Sequence, residues 1–410
     1  TDKGVISDNT TNINVSEDIN ITTYNDGVFT EGKGTTNISG FKNLNITSRS
    51  GFGLVDNGNG ITIEGGDQSV VSIKSEYITR HVWIFEYQDS RPAIGSHYLS
   101  ENYGNGISIR SGTIKLDSVK NYSIYSGNGS KGRFEVNLDA SDIDITGTIY
   151  GKGGNITITP RTDGVMNISP SDQAEGSTLK DNSILLTDGS TLTINEDSAE
   201  LKKMQLTGKI EVDGEGTSLL ANMTGDSSIA PREGSSSTVA IEASDGGKVE
   251  LNMSGANSSI TGDVNAITGT GSSISLNLSD AHQEGNLKAE GNNTLDAVYS
   301  GRKSSLTGTA DNKGIMNLSF SNQSVLNGDV LNGVKVYEGK ASMTPFAGQL
   351  TANFDQSSRW NGNLSNQGGT ANVTLSNGGT WIGNLDNQGG TASVTLNRGS
   401  TWTGKASKSD

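Results

Sequence analysis

The amino-acid sequence predicts an all-β fold in which three short strands form each coil of a parallel β-helix. Two repeats predict it: a five-residue phrase, apolar-x-Gly-x-apolar, and an apolar-x-apolar triplet. A third observation is that helical periodicity is missing along the chain. Repetition at a fixed period indicates a solenoid, in which each coil buries its apolar side against its neighbours.

The apolar-x-Gly-x-apolar phrase marks one position in a coil. Its most regular copies begin about 20 residues apart, which is the length of a small solenoid repeat. We expect the central glycine to take a positive φ between two short strands. The copies are Ile145–Ile149, Leu206–Ile210, Ile260–Val264, Leu306–Ala310, Leu326–Val330, Trp360–Leu364, Trp381–Leu385 and Trp402–Ala406.

The apolar-x-apolar triplets predict the strands themselves. Ile61-Thr-Ile63, Ile143-Asp-Ile145 and Val373-Thr-Leu375 are typical: two β-branched or aliphatic residues flank one polar residue. Alternation with a period of two is typical of a half-buried strand. Three such strands and their turns fit in a coil of roughly 20 to 25 residues, which agrees with the glycine phrase.

Residues 76–103 interrupt this pattern with a concentration of aromatic side chains, in a chain of which only 5% of residues are aromatic. We expect an insertion extruded from the helix wall, because insertions in repeat proteins lie in loops that often bind. An irregular coil whose aromatic residues fill its own small core is the alternative. The candidate protein-binding residues are Trp83, Phe85, Tyr87 and Tyr98.

The repeats are most regular over residues 345–410, where each phrase begins with tryptophan. Trp360, Trp381 and Trp402 occupy the position that Leu326 holds in an earlier copy. That equivalence predicts a stacked column in the interior rather than an exposed platform for a ligand.

Composition excludes several classes of function. The net charge of −15 repels nucleic acid and anionic membranes at long range. The absence of cysteine excludes disulfides and thiolate metal sites, and no apolar run is long enough to span a bilayer, so we expect no direct membrane insertion of this segment. No cofactor or metal motif is present, and none is expected.

Two residue patterns were considered as candidate catalytic sites. Asp142 and Asp144 lie two apart on one predicted strand, which sets their carboxylates about 7 Å apart on its outer side. Inverting glycosidases use a similar separation, so a polysaccharide lyase or hydrolase remains an alternative. Outward strand positions are also where aspartate falls by default, and Gly225-Asp-Ser-Ser228 lacks the second glycine of a protease nucleophile turn. We therefore expect no enzyme and assign no catalytic residue.

A local excess of basic residues suggests a second candidate site. Coiling brings residues about 20 apart to stacked positions, so Lys115 and Arg133 are expected to align on one face. Such a strip would bind the sulfate or carboxylate groups of a polyanionic glycan. A solvated face balanced by acids on adjacent coils is the alternative. The candidate glycan-binding residues are Arg110, Lys115, Lys120, Lys131 and Arg133.

The C-terminal repeats carry a resemblance to a known family. Two strands that read Gly-Gly-Thr-Ala-x-Val-Thr-Leu precede Gly379-Thr-Trp-Ile-Gly-Asn384 and Gly399-Ser-Thr-Trp-Thr-Gly404. These phrases resemble the passenger domains of bacterial autotransporters, and among them the AIDA-type adhesins. The resemblance is strongest over about 345–410 and continues more weakly back to about 105.

The resemblance implies a right-handed β-helix over residues 1–410, exposed on a bacterial surface. In that family a C-terminal translocator barrel, which is not in this chain, anchors the passenger in the outer membrane, and a passenger is also found secreted. It further implies non-catalytic adhesion to host extracellular matrix or cell-surface ligands, either glycosaminoglycan-like glycans or a matrix protein such as fibronectin. Self-association that drives bacterial aggregation and biofilm is the alternative.

Overall fold

The protein is all-β, as the sequence predicts. The computed structural model describes residues 4–76, 78–82, 85–89, 92–95, 105–129, 132–172, 180–334 and 347–408. Strands account for 64% of the chain and the described residues contain no helix. The strands stack in parallel, coil upon coil, which confirms the predicted β-helix.

The strands are short, apart from five of ten residues or more, which are β14, β17, β30, β32 and β34. From the N-terminal end they are β1 (Val5–Ser7), β2 (Thr10–Asn14), β3 (Ile19–Thr23), β4 (Val28–Glu31), β5 (Thr35–Ser39), β6 (Asn43–Ser48), β7 (Leu54–Asn57), β8 (Ile61–Glu64), β9 (Val70–Ser75), β10 (Ile78–Val82), β11 (Phe85–Asp89), β12 (Ile94–Gly95), β13 (Gly106–Arg110), β14 (Thr113–Gly129), β15 (Gly132–Arg133), β16 (Glu135–Ala140), β17 (Asp142–Lys152), β18 (Asn155–Pro160), β19 (Val165–Ser169), β20 (Asn182–Thr187), β21 (Thr191–Ile194) and β22 (Lys203–Thr207). They continue as β23 (Lys209–Asp213), β24 (Ser218–Met223), β25 (Asp226–Ala230), β26 (Val239–Ser244), β27 (Lys248–Ser254), β28 (Ser259–Thr261), β29 (Asp263–Ala266), β30 (Thr270–Ser279), β31 (His282–Glu284), β32 (Leu287–Ser300), β33 (Ser305–Thr307), β34 (Ala310–Ser321), β35 (Val325–Asn327), β36 (Val330–Asn332), β37 (Gln349–Phe354), β38 (Arg359–Asn361), β39 (Leu364–Asn366), β40 (Thr370–Leu375), β41 (Thr380–Ile382), β42 (Leu385–Asn387), β43 (Thr391–Leu396), β44 (Thr401–Thr403) and β45 (Ala406–Lys408).

The chain divides into two compact units. Unit 1 comprises Thr1–Ile210, Gly216–Asn222 and Arg232–Gly234. Unit 2 comprises Glu211–Glu215, Met223–Pro231 and Ser235–Asp410.

In both units the register of the parallel strands stacks like on like. Most strands pair with the strand three places further along the chain, so each coil contains three strands. In unit 1 an aliphatic column runs through Ile21, Ile46, Ile73, Leu116, Ile145, Ile168 and Leu206. In unit 2 a comparable column runs through Leu276, Ala297, Leu318, Ala352, Val373 and Val394.

Burial alternates residue by residue along the strands. Ile61 and Ile63 are buried and Thr62 between them is partly exposed. This period-two pattern places the apolar residues in the interior of the coil and the polar residues on its outer sheets. The low apolar content of 31% is sufficient because each coil needs only a thin apolar column.

Seven of the eight phrase glycines take the positive φ that the sequence predicts, and Gly404 does not. Gly147, Gly208, Gly262, Gly308, Gly328, Gly362 and Gly383 have positive φ between 110° and 158°. In unit 2 these glycines also stack: a β-carbon built on Gly383 would overlap the carbonyl oxygen of Gly362, and one on Gly362 would overlap that of Gly328. Glycine is therefore needed both for φ and for the close approach of successive coils.

The predicted interior position of the tryptophan column is confirmed for Trp360 and Trp381, whereas Trp402 is stacked but partly exposed. Trp360 and Trp381 are fully buried, and their rings stack with a centroid separation of 4.4 Å. Trp402 stacks on Trp381 at 4.8 Å. The stack continues from Trp360 into three aromatic residues that the sequence analysis did not connect with it, namely Phe354, Phe320 and Tyr299.

Strands β10 and β11 form a two-stranded antiparallel sheet that is separate from the parallel sheet of the coils. Strand β10 pairs with β11 in antiparallel register, from Ile78 opposite Asp89 to Val82 opposite Phe85. The coil resumes at β12, which pairs in parallel with β7 and β14. The interruption predicted near residues 76–103 is thus an inserted pair of antiparallel strands where the structure describes it.

Candidate functional site

Among the described residues, the predicted basic side chains Arg110, Lys115 and Arg133 do not come together as one strip. Arg110 lies at the end of β13, in register between Glu64 on one side and Asp139 on the other. Its Nε lies 3.4 Å from Asp139 Oδ2. The guanidinium is therefore flanked by carboxylates.

Arg161 extends this arrangement into a charge-balanced cluster. Its Nε donates to Asp139 Oδ1 at 2.8 Å and its Nη1 to Asp67 Oδ1 at 2.7 Å. Arginines and aspartates thus alternate across neighbouring coils of unit 1. For Arg110 the structure matches the alternative given above, a solvated face balanced by acids, rather than an uncompensated basic strip.

Lys115 and Arg133 are on different sides of the coil, so the expected alignment of these two residues is wrong. Lys115 is exposed in the first part of β14, in register with Ser72 and Asp144. Arg133 lies in β15, which pairs antiparallel with the end of β14, and its Nη1 donates to Asn155 Oδ1 at 3.1 Å. A shift of register within β14 carries the strand around a corner, which separates the two positions.

The remaining predicted binding residues lie outside the described part of the chain. Lys131, Trp83 and Tyr98 are not among the described residues, and the side chain of Lys120 is not either. Phe85 and Tyr87 are in β11, but the description covers their backbone alone. Their binding roles stay predictions.

Of the two carboxylates considered for catalysis, Asp142 bonds to the next coil and Asp144 is stacked between polar residues of neighbouring strands. Asp142 Oδ1 accepts a hydrogen bond at 2.9 Å from the backbone N–H of Val165 in the next coil. Asp144 lies between Lys115 and Asn167 in the register of the sheet. Nearby, burial raises the pKa of Asp117, and the charge of Lys74 partly opposes that shift.

Outward Asp and Asn side chains in unit 2 repeatedly accept hydrogen bonds from the backbone of the next coil. Each follows a stacked glycine, and its Oδ1 accepts the backbone N–H of the corresponding residue one coil later. The pairs are Asp263 with Asn286 (2.8 Å), Asn286 with Thr309 (2.9 Å), Asp329 with Asn363 (2.7 Å), Asn363 with Asn384 (2.9 Å) and Asn384 with Lys405 (3.0 Å). Side chains thus maintain hydrogen bonding between coils where the glycine interrupts the strands.

The sequence analysis missed one copy of this phrase, Gln283-Glu-Gly-Asn-Leu287, because glutamine replaces its first apolar residue. Gln283 is buried, and its Oε1 accepts a hydrogen bond at 2.7 Å from the hydroxyl of Tyr299. Burial raises the pKa of Tyr299 far above its usual value. Glycine and asparagine at the correct spacing were the signal that could have identified this copy.

One surface of unit 2 carries no charged side chain in two outward rows across four stacked strands. We call it the neutral face and define it by the two outward rows on β34, β37, β40 and β43. The first row is Asn317, Thr351, Asn372 and Ser393, and the second is Ser319, Asn353, Thr374 and Thr395. Sequence analysis missed this surface, although the period-two alternation of these strands already places the eight residues outward.

Two of the three amides of the neutral face differ from outward asparagines elsewhere, whereas the third, Asn317, donates a hydrogen bond to Asp296 Oδ1 in the adjoining strand at 2.6 Å. Where asparagine stacks on asparagine, the two side chains bond, as in Asn37 to Asn12 at 2.8 Å and Asn361 to Asn327 at 2.9 Å. On the neutral face Asn353 and Asn372 stack on hydroxyl residues instead. Neither has a side-chain hydrogen bond within the part of the chain that the structure describes.

The described residues were also searched for metal sites and for membrane-spanning helices. No three His, Asp or Glu side chains among them converge in a way that could hold a metal ion. No helix in the same ranges has the length and apolarity needed to cross a membrane.

Fold and surface together define a class, the parallel β-helix proteins with three strands per coil and polar outer sheets. Comparison with known proteins adds no family to that class, because no protein-family model, curated protein or solved structure matches the chain.

Proposed function

We propose that this chain is a non-catalytic binding protein, the passenger of a bacterial surface adhesin that attaches to host extracellular matrix or cell-surface molecules. The observation that carries the proposal is the regular outer surface of the coils, on which polar side chains recur at strand spacing on parallel sheets. Such a surface suits many weak contacts to an extended ligand.

The carboxylates support binding rather than turnover. Asp142, one of the two carboxylates considered for catalysis, accepts with Oδ1 a hydrogen bond from the backbone of the next coil. A general acid or base needs its carboxyl free to reach the reacting proton. The same structural use recurs at Asp263 and Asp329, which accept backbone N–H groups of the next coil.

The test is a binding screen combined with a turnover assay on the purified chain. Fibronectin, heparin and fixed epithelial cells are presented as surfaces, and the oligomeric state is measured at the same concentrations. We expect saturable binding by a monomer to at least one surface, with no release of reducing ends or unsaturated uronates from polysaccharides.

Two variants separate the predicted sites. Replacing Lys115, Lys120, Lys131 and Arg133 with serine tests the basic candidates that remain once Arg110 is assigned to the balanced cluster. If they bind heparin, the variant loses heparin binding, and heparin binding to the unchanged chain falls steeply with salt. Replacing residues 78–89 with a Gly-Ser linker should reduce fibronectin binding instead, since Trp and Tyr dominate binding hot spots.

Three results would overturn the proposal. The first is an absence of binding to all three surfaces. The second is concentration-dependent dimers as the sole interaction, which favours self-association. The third is release of sugar products, which favours a carbohydrate-active enzyme.

A further inference from the structure

We infer that the neutral face binds an uncharged, hydroxyl-rich glycan in an extended conformation. This inference rests on the proposed function and names the class of ligand for one surface. It uses the rows defined above, of which Asn353, Asn372, Thr351 and Thr374 form the centre.

The first step is the hydrogen-bonding capacity of the two central amides. A carboxamide offers two N–H donors and one carbonyl acceptor. In the ladder of Asn327 and Asn361 part of that capacity is used between coils, at 2.9 Å. The alternation of amide and hydroxyl on the neutral face leaves Asn353 and Asn372 without such a bond among the described residues. Their donors and acceptors therefore face solvent and are available to a ligand.

The second step is the repeat of these groups in two directions. Residues two apart on a strand are about 7 Å apart, and neighbouring strands are about 4.8 Å apart. Donors and acceptors thus recur at fixed intervals over the outer side of the parallel sheet. A polymer with hydroxyl groups along its length can bond at several of these positions at once, which raises its overall affinity.

The third step is charge. The whole chain has a net charge of −15, but the eight residues of the neutral face have none. A polyanion gains no ion pair on this surface and is repelled by the rest of the chain, and a polycation gains more on the acidic surfaces elsewhere. An uncharged polymer meets neither penalty.

The fourth step excludes a peptide that adds as an extra strand. Strand addition requires a free sheet edge with unpaired backbone groups. Strands β37 and β40 are paired on both sides, so their backbone groups are already bonded. A ligand on the neutral face can therefore bond only to its side chains.

The experiment uses the whole chain and three immobilised neutral polysaccharides, namely dextran, laminarin and galactomannan, with heparin as the anionic comparison. The test variant carries Asn353→Ala and Asn372→Ala. The matched control carries Asn327→Ala and Asn361→Ala, which removes two outward amides of the same unit that bond to each other. Circular dichroism and thermal melting establish that both variants are folded.

We expect at least one neutral polysaccharide to bind, with affinity that is unchanged between about 0.05 and about 0.5 M NaCl because no charges meet. The test variant should lose about tenfold in affinity and the control less than about twofold. No binding to any of the three, equal losses in both variants, or strong weakening by salt would each overturn the inference. Fibronectin or heparin binding that persists in those cases leaves the proposed adhesive function intact.

Discussion

Trp381 connects successive coils at the scale of single residues. Its ring is buried between Trp360 and Trp402, and its Nε1 donates to the carbonyl oxygen of Gly362 at 2.9 Å. Trp360 and Trp402 bond in the same way to Gly328 and Gly383. The glycine phrase therefore supplies both the turn and the acceptor that a buried indole N–H requires.

Trp381→Ala should destabilise the chain by roughly 3–5 kcal/mol, because the truncation leaves a cavity and removes a buried hydrogen bond. The control is Ile382→Ala at the adjacent position, which is 54% exposed. Urea unfolding measures the loss, and hydrogen exchange should locate it in the strands next to β41, since a solenoid couples nearest neighbours. Equal effects of both substitutions would contradict the interior assignment.

Gly383→Ala should be strongly destabilising, because its β-carbon would overlap the carbonyl oxygen of Gly362 and φ is 158°. The loss should reach at least about 1–3 kcal/mol, the usual cost of a strained or displaced backbone. Gly66→Ala is the control, since nothing lies within 4 Å of a β-carbon there. Thermal melting of the two variants gives the comparison, and an unchanged melting temperature in Gly383→Ala would show that the coils can separate.

Tyr299 predicts a loss of stability at alkaline pH. The usual tyrosine pKa is about 10, and burial raises it in the folded state. Above that usual pKa the unfolded chain ionises and the folded chain does not, so the free energy of unfolding falls as pH rises. Tyr299→Phe should therefore reduce the fall in the free energy of unfolding with pH. Urea unfolding between about pH 8 and about pH 12 measures this dependence.

The same substitution has a cost at neutral pH. It leaves Gln283 Oε1 without its donor, and that buried side chain already has an unpaired Nε2. The expected loss is about 1–3 kcal/mol, and Gln283→Leu in the same chain should recover most of it because both polar partners are then gone. A double variant that is less stable than Tyr299→Phe alone would contradict this explanation.

Side-chain ladders extend the hydrogen bonding of the sheets at the scale of strands. Inside unit 2 a ladder of amides runs through the buried Asn312, Asn332 and Asn366 to the partly exposed Asn387, with N–O distances of 2.7 to 2.8 Å. It follows the strands β34, β36, β39 and β42. Each buried amide bonds to the next, so the ladder favours one register.

Asn332→Ala should cost about 1–3 kcal/mol for each buried polar group left unpaired, and it affects both Asn312 and Asn366. The exposed ladder gives the control, Asn361→Ala, for which we expect about 0.5 kcal/mol or less. Chemical unfolding measures both. A similar small loss in the two variants would mean that water replaces the buried amide.

At the scale of the molecule, the stability of stacked coils depends on neighbouring contacts rather than on one central core. Three of the four tryptophans lie in β38, β41 and β44, while strands contribute along the whole chain. Tryptophan fluorescence therefore reports on few coils, and circular dichroism reports on all of them.

Urea unfolding followed by fluorescence and by circular dichroism should consequently give different midpoints. Coils of unequal stability unfold separately when coupling is limited to neighbours. Trp83→Phe is the control, because it removes the one tryptophan outside those strands and should sharpen the fluorescence transition. Coincident curves from both probes would indicate a single cooperative unit.

The sequence by itself determined the fold class and the interior. Apolar residues with a period of two, together with a recurring glycine, allow few arrangements other than stacked parallel strands. The same equivalence of positions placed Trp360 and Trp381 inside, where both are buried. These features follow from local spacing, which a sequence displays directly.

Only the tertiary structure decided which outward residues are neighbours. Coil lengths vary, so Val325 stacks on Arg359 across a long connection, whereas Arg359 stacks on Thr380 across a short one. Loops of different length alter the register without altering the strand pattern. Spacing alone therefore put Lys115 beside Arg133, whereas the folded chain puts Lys115 beside Asp144 and alternates amides with hydroxyls around Asn353.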